Sequence, residues 1–179
     1  MMRVLAIDPG MKHTGVALVN EVGVVCACTL AYAKPVKTDR AAMMERCESI
    51  CERLGWLLGS WEHDVVVVEQ FDLRHDFQAN AMSATQGIWL EGWLLRYLCE
   101  DMGEEVHLQT PLETFSPRLD YSIWWYLGAN KPKGMEKEDE LRYLARHMPG
   151  GENCHGARDQ IQAAAHGLKY ILDHERLFD

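Results

Sequence analysis

Four apolar residues, an acid and a turn dipeptide follow one another in the stretch Val4-Leu5-Ala6-Ile7-Asp8-Pro9-Gly10. The apolar run predicts a buried strand over about residues 3–8, and the Pro-Gly pair predicts a tight turn into a second strand at about 13–19. A carboxylate at the end of a buried strand is held rigidly by the sheet. Taken alone, Asp8 is compatible with a turn residue, a phosphate-binding acid or a metal ligand.

A second acid ends another apolar run, Val65-Val66-Val67-Val68-Glu69. Four consecutive valines without alternation are typical of a central strand that is covered on both faces. Around these two strands the pattern predicts further strands at about 22–32 and 104–109 and helices at about 40–59, 78–101, 136–147 and 155–175. Thr38 or Asp39 is expected to cap the first helix. Residues 112–134 are too apolar for a linker, and part of them is expected to pack on the sheet or on a partner.

The bulk composition favours one domain. The chain has 179 residues, of which 47% are hydrophobic, so one domain over residues 1–179 can build a sizeable core. No apolar stretch is long enough to span a membrane and no secretory signal is apparent, so an intracellular protein without membrane association is expected. The formal net charge of −9 argues against a protein that coats nucleic acid, but it is compatible with a metal-dependent nuclease.

The six cysteines contain no CxxC pair. Cys26 and Cys28 are spaced as neighbours on one face of a strand, and Cys47 and Cys51 as neighbours on one face of a helix. Reduced, mostly buried thiols are the expectation. A zinc site built from these two pairs is the alternative.

Three acids occupy comparable positions: Asp8 and Glu69 end strands, and Asp159 lies near the start of the last predicted helix. If the two strands are neighbours, these carboxylates come together and repel one another, which a divalent cation would relieve. His155 precedes Asp159 by about one helical turn and is expected to face the same ion. Oxygen ligands favour Mg²⁺ or Mn²⁺ over zinc, and two such ions about 3.5–4 Å apart suit phosphodiester hydrolysis. Each acid alone is more commonly a turn or solvated strand-end residue.

These motifs resemble those of the RuvC family of Holliday junction resolvases, which includes phage members. The similarity rests on Ile7-Asp8-Pro9-Gly10 with Thr14-Gly15, on Val66-Val67-Val68-Glu69-Gln70, and on His155 to Asp159 followed by an Ala-rich helix. The resemblance implies a ribonuclease H-like α/β fold with a mixed five-stranded sheet flanked by helices. It also implies a homodimer that nicks four-way DNA junctions in pairs with Mg²⁺, in the cytoplasm of a bacterial or phage-infected cell.

Carried over residue by residue, the family's metal-binding and catalytic acids fall on Asp8, Glu69 and Asp159. The family carries Asp or His three residues before the last of these, where this chain has Gly156. His155, one residue further away, is assigned as the fourth ligand, and a three-ligand site completed by water is the alternative. The implied cofactor is a pair of Mg²⁺ ions, for which Mn²⁺ is a possible substitute.

The resemblance also assigns DNA-binding residues. Relatives place an aromatic residue at the junction's exchange point in the loop after Glu69, which here contains Phe71, Arg74 and Phe77. Phe71 or Phe77 is the candidate for this role, although Phe71 is equally compatible with a core role. Lys131, Lys133 and Lys137 resemble a lysine-bearing segment near the scissile phosphate, and a solvated helix start is the alternative. Helix 78–101, with its small residues, resembles the family's dimerisation helix or serves packing on the sheet.

Three other functions remain open from the sequence. An actin-like or sugar-kinase-type ATPase also begins with a strand, an Asp and a turn, but it is larger and has a second phosphate loop. A nuclease of the same fold that acts on RNA–DNA hybrids or other branched DNA has the same acids. A non-catalytic junction-binding protein is disfavoured by the retained acids, because clustered carboxylates are a liability without metal.

Overall fold

The computed structural model describes residues 1–32, 39–71, 81–116, 121–129, 131 and 134–176, and it leaves the side chains of residues 81–84 and 176 undescribed. The described residues form five strands: β1 (Arg3–Asp8), β2 (His13–Asn20), β3 (Gly23–Ala31), β4 (Val65–Glu69) and β5 (Val106–Gln109). Each lies within about two residues of its predicted position. The helices are α1 (Arg40–Ser60), α2 (Ala81–Arg96, continued by a π-helical turn over Tyr97–Asp101), α3 (Pro111–Phe115), α4 (Ile123–Tyr126), α5 (Lys137–His147) and α6 (Arg158–Arg176).

The strands form one mixed sheet in the order β3-β2-β1-β4-β5. The hairpin of β1 and β2 is antiparallel, as is the pair of β2 and β3, whereas β4 and β5 run parallel to β1. Ile7 of β1 lies opposite Val68 of β4, so the next residues, Asp8 and Glu69, lie side by side where both strands end. The predicted mixed five-stranded sheet flanked by helices is confirmed.

Helices cover both faces of the sheet, which explains the unbroken apolar runs. Successive strand residues point to opposite faces. Leu5 and Ile7 therefore pack with α1 and α2, whereas Val4 and Ala6 pack with α6. In β4 the same alternation packs Val66 and Val68 against α1 and α2, and Val65 and Val67 against α6.

The start of the last helix differs from the prediction. Residues Gly151–Cys154 form a 3₁₀ turn, and His155 and Gly156 follow with φ of 49° and 71°. Two successive left-handed residues cannot continue a right-handed helix, so α6 begins at Arg158. The expectation that His155 lies on the same helix face as Asp159 is therefore wrong.

The stretch that the sequence left unassigned contributes to the core. Ile123 and Trp124 of α4 are buried in the same cluster as the α6 face of the sheet.

Asp39 caps α1, where its Oδ1 accepts a hydrogen bond of 3.0 Å from the Ala42 amide. No helix among the described residues is long and apolar enough to cross a membrane.

All six cysteines are free thiols. Burial raises the pKa of Cys47 to about 11 and that of Cys51 to about 12, so both stay protonated and unreactive at neutral pH. In the described part of the chain, no three His, Cys, Asp or Glu side chains form a group that could hold a metal ion as they stand. The zinc alternative therefore has no support among the described residues, and three of the six thiols, those of Cys47, Cys51 and Cys154, are buried.

Candidate active site

Strand alternation places the two strand-end acids on the same face of the sheet. Asp8 follows Val4 and Ala6 at even spacing, and Glu69 follows Val65 and Val67 in the same way, so both acids point toward α6. Gly15 of β2 pairs with Asp8 and belongs to this face as well. The carboxyl ends of β1 and β4 thus present their acids beneath the start of α6.

Glycines allow α6 to approach the sheet closely. A Cβ atom on Gly15 would lie 2.0 Å from the Asp159 carbonyl oxygen, and one on Gly167 would lie 2.5 Å from a Val19 methyl group. Real Cβ contacts essentially never come that close. Gly15 therefore fixes where the first turn of α6 lies, and with it the position of Asp159 relative to Asp8.

The pKa of Asp8 responds to both other acids and to two cations. Burial raises the pKa of Asp8 well above its usual value, and the neighbouring carboxylates of Glu69 and Asp159 raise it further. The cations of Arg158 and Lys137 lower the same pKa. A half-buried carboxylate crowded by two others and flanked by two cations is suited to hard divalent ions and to a phosphate.

Asp159 is held by β3. Its Oδ2 accepts a hydrogen bond of 3.1 Å from the Thr29 hydroxyl, and that hydroxyl in turn accepts one of 3.1 Å from the Gln160 side-chain amide. The two contacts orient the carboxylate while its other oxygen has no hydrogen bond to the described residues. Thr29 lies on the edge strand and gives no functional signal in the sequence.

Glu69 faces a fully buried histidine. His166 Nε2 lies 2.8 Å from Glu69 Oε2. On the opposite side of the ring, Nδ1 lies 2.8 Å from the Thr114 hydroxyl and 2.9 Å from Gln109 Oε1. Sequence reasoning missed this histidine, although His166 follows Asp159 by seven residues, the spacing of two helical turns.

The predicted DNA-binding lysines occupy different surroundings. Lys137 begins α5 and lies close enough to Asp8 to lower the pKa of that acid. Lys131 instead forms an ion pair of 2.8 Å with Glu140, which is mostly buried. Lys133, Arg74 and Phe77 lie outside the described residues. Arg158, which the sequence analysis did not single out, is the second cation at the acids.

Phe71 packs against α2. Its amide donates a hydrogen bond of 2.8 Å to Glu91 Oε2, and its ring covers Gly87, where a Cβ atom would lie 2.4 Å from the ring. Gly87 therefore makes room for Phe71. Stacking of Phe71 on a DNA base would require the ring to leave this contact, so its DNA-binding role stays a prediction.

His155 is exposed and lies on the left-handed turn before α6. The helical spacing that linked it to Asp159 does not exist, because α6 begins three residues later. Its assignment as a ligand stays a prediction that now depends on the conformation of the turn.

The family model for "Crossover junction endodeoxyribonuclease RuvC" matches residues 4–110 of the chain. The structure of Thermus thermophilus RuvC in complex with a Holliday junction substrate is 18% identical, with a TM-score of 0.68 over 98% of this chain and 96% of that chain. The yeast mitochondrial Holliday junction resolvase Ydc2 is 16% identical, with a TM-score of 0.57 over 99% of this chain and 82% of that chain. Comparison with curated protein sequences gave no significant match. The fold is ribonuclease H-like.

Proposed function

The chain belongs to the RuvC family of crossover junction endodeoxyribonucleases, and from this premise we propose that it resolves four-way DNA junctions by paired, Mg²⁺-dependent nicking. The observation that carries the proposal is the convergence of Asp8, Glu69 and Asp159 on one sheet face, where the charges of the other two raise the pKa of Asp8. Such crowding costs free energy in a metal-free protein and is relieved when an ion binds.

The donor set fits Mg²⁺, with Mn²⁺ as a substitute. Asp8, Glu69 and Asp159 supply carboxylate oxygens, the ligands that these hard cations prefer. His155 is the candidate fourth ligand if its turn folds back toward the acids. A pair of ions in such a site supplies an activated water and stabilises charge on the leaving oxygen. Asp8 and Glu69 already point to the side of the sheet on which α6 carries Asp159.

A cleavage assay with several substrates tests the proposal. Purified protein is incubated with a synthetic four-way junction, a linear duplex and an RNA–DNA hybrid, each with Mg²⁺, with Mn²⁺ or with a chelator. We expect symmetric nicks in the junction that require the metal. Cleavage of the hybrid in preference to the junction would favour the RNA-directed alternative, and the absence of metal-dependent cleavage of every substrate would refute the enzymatic proposal.

The two flanking cations suit the negatively charged DNA backbone. Lys137 and Arg158 lie near Asp8 on elements that meet at the same end of the sheet. A lysine at this position stabilises the charge that develops on the scissile phosphate. Lys131 already neutralises Glu140 and is less available for that role.

We therefore expect Lys137→Ala to slow junction cleavage by about 10²-fold or more, the cost typical of losing one group that stabilises the transition state. Lys131→Ala is the matched control and should slow cleavage only a few-fold. Single-turnover rates at saturating protein separate catalysis from binding. Equal losses in the two variants would mean that Lys137 contributes only general charge.

A second copy of the chain is the proposed partner on the outer surface of α1 and α2. Trp89 and Trp93 are only partly covered there, and Ile88 is 43% exposed. Arg40 and Arg96 lie over the two tryptophan rings at 5.8 and 5.9 Å. An exposed apolar groove edged by cations is typical of a protein interface. Paired nicking of a two-fold symmetric junction also requires two active sites.

We expect Gly92→Arg to convert a dimer into a monomer. Gly92 lies in this groove, and a Cβ atom there would meet no other heavy atom within 4 Å of the same chain. An arginine would therefore fit the monomer but would block a second copy and repel Arg40 and Arg96. The measurement is molar mass by light scattering after size-exclusion chromatography.

Gly59→Arg is the control, because Gly59 is an equally open helical position about 28 Å along α1 from the Arg40 end of the groove. It should leave the mass unchanged. A Gly92→Arg protein that keeps the wild-type dimer mass would exclude this surface as the dimer interface.

A further inference from the structure

His166 connects four elements of the fold at a single buried point. It lies on α6, its Nε2 faces Glu69 at the end of β4, and its Nδ1 faces Gln109 at the end of β5 and Thr114 on α3. None of its surface is exposed, and the Phe115 ring lies against it edge-on with centroids 5.3 Å apart. The ring therefore has one orientation available to it.

The hydrogen-bond chemistry fixes which side of the ring donates to Glu69. An ionised carboxylate only accepts hydrogen bonds, so Nε2 carries the proton that points at Glu69 Oε2. The Thr114 hydroxyl lies 2.8 Å from Nδ1 and donates a hydrogen bond of 3.1 Å to Gln109 Oε1, which itself lies 2.9 Å from Nδ1. Oε2 of Glu69 is thereby engaged, and Oε1 has no hydrogen bond to the described residues.

The support extends one step further from the metal site. The α3 helix begins with a capping box in which Thr110 and Glu113 bond each other's backbone amides. This cap holds the short helix at the end of β5, so that Thr114, which is fully buried, stands over His166. A chain of polar contacts thus runs from the cap of α3 to the carboxylate of Glu69.

We infer that His166 is a positioning residue for Glu69: it holds one carboxylate oxygen so that the other is presented to a divalent cation. The inference rests on the proposed metal-dependent function. Partners one step removed from a metal ligand typically change metal affinity by about 10–100-fold when they are lost. Every buried histidine needs polar partners for its ring nitrogens, and here the partner of Nε2 is the carboxylate of a proposed metal ligand.

Two amide substitutions separate the positioning role from packing. In His166→Gln the side-chain nitrogen reaches the place of Nε2, whereas in His166→Asn it reaches only the place of Nδ1. Both variants replace the ring with a smaller neutral amide, and Asn is one methylene smaller than Gln, so the melting temperature of each variant is compared with its metal affinity. We expect His166→Asn to bind Mn²⁺ about 10–100-fold more weakly and His166→Gln to recover most of the affinity.

Mn²⁺ is titrated into each protein without DNA, and the free Mn²⁺ is measured by electron paramagnetic resonance. The melting temperature of each protein is measured separately in the presence of a chelator. Thr114→Val removes the hydroxyl at Nδ1 with little change in volume. We expect this variant also to bind Mn²⁺ more weakly than the wild type, but by a smaller factor than His166→Asn. It takes the place of His166→Asn in the comparison if the Asn variant does not fold. Weaker binding by the Asn variant with recovery by the Gln variant supports the role.

Other outcomes overturn it in distinguishable ways. If the folded His166→Asn and Thr114→Val variants bind Mn²⁺ like the wild type, His166 has no role in metal binding, and the proposed nuclease activity is unaffected by that result. Equal losses in the Asn and Gln variants that follow their melting temperatures make His166 a packing residue. A wild-type protein that binds no Mn²⁺ refutes the metal site itself, and the positioning role with it.

Discussion

The variant Asp8→Asn is expected to lose junction cleavage by at least about 100-fold and yet to melt at a higher temperature than the wild type when no metal is present. The loss of activity follows from removing a proposed metal ligand, because loss of even an indirect partner of a metal typically costs about 10–100-fold in affinity or activity. The gain in stability follows from removing the negative charge of Asp8, which burial and the charges of Glu69 and Asp159 disfavour, as the raised pKa of this carboxyl indicates. Junction binding in the presence of a chelator should persist.

The pH dependence of this stability gain has a definite sign. The folded protein binds the Asp8 proton more tightly than the unfolded chain, in which the pKa of this carboxyl is near its ordinary value of 3.8. Between that value and the raised pKa of the folded state, the free energy of unfolding of the wild type therefore falls as pH rises. The gain from Asp8→Asn should be absent below about pH 3.8 and reach its full size above the raised pKa.

The prediction is checked by thermal melts of both proteins across this pH range in the presence of a chelator. Cleavage rates are measured separately with Mg²⁺. Asp139→Asn is the control, because Asp139 is exposed in the first turn of α5 and should lose at most a few tenths of a kcal/mol. Adding Mn²⁺ should stabilise the wild type more than Asp8→Asn, since the ion binds the folded state. An Asp8→Asn protein that melts below the wild type at neutral pH would make Asp8 a structural residue.

The sheet, and the placement of Asp8 and Glu69 side by side at its edge, were predictable because they depend on local patterns. The apolar runs before Asp8 and Glu69 determine two buried strands, and strand alternation sends both side chains to the face that α6 covers. Asp159 followed from the apolar stripe of the last helix. These features need only the periods of strands and helices and the parallel pairing of β1 with β4.

The partners of those acids were not predictable in the same way. The ring of His166 meets Glu69, Gln109 and Thr114 only when α6, both strands and α3 are assembled. Lys131 and Lys137 look alike in sequence, and the ion pair of Lys131 with Glu140 distinguishes them only in the folded chain.

His155 shows a different limit of sequence reasoning. A spacing of four residues indicates a shared helix face only if the chain between them is helical. Here the glycines around the 3₁₀ turn introduce left-handed backbone, and His155 itself adopts φ of 49°. The turn, which local propensity describes poorly, determines whether this histidine approaches the acids.

Gly15 shows how closely the active site depends on backbone contact, and Gly15→Ala is the second substitution with a large expected effect. Alanine is a better strand residue than glycine, and Gly15 lies inside β2, so local propensity alone predicts a gain. The added Cβ atom, however, would lie 2.0 Å from the Asp159 carbonyl oxygen and 2.9 Å from its Cβ atom. Because these neighbours belong to a helix backbone packed on the sheet, the first turn of α6 must move away.

We expect Gly15→Ala to lower the free energy of unfolding by about 1–3 kcal/mol, the usual cost of overpacking. A displacement of Asp159 by about 1 Å should slow cleavage by about 10²-fold. Gly59→Ala is the control, because no heavy atom lies within 4 Å of the new Cβ and the variant should gain up to about 1 kcal/mol at full activity. Rates are measured well below both melting temperatures, so that unfolding does not contribute. Wild-type cleavage and Mn²⁺ affinity in Gly15→Ala would mean that the position of Asp159 does not depend on this contact.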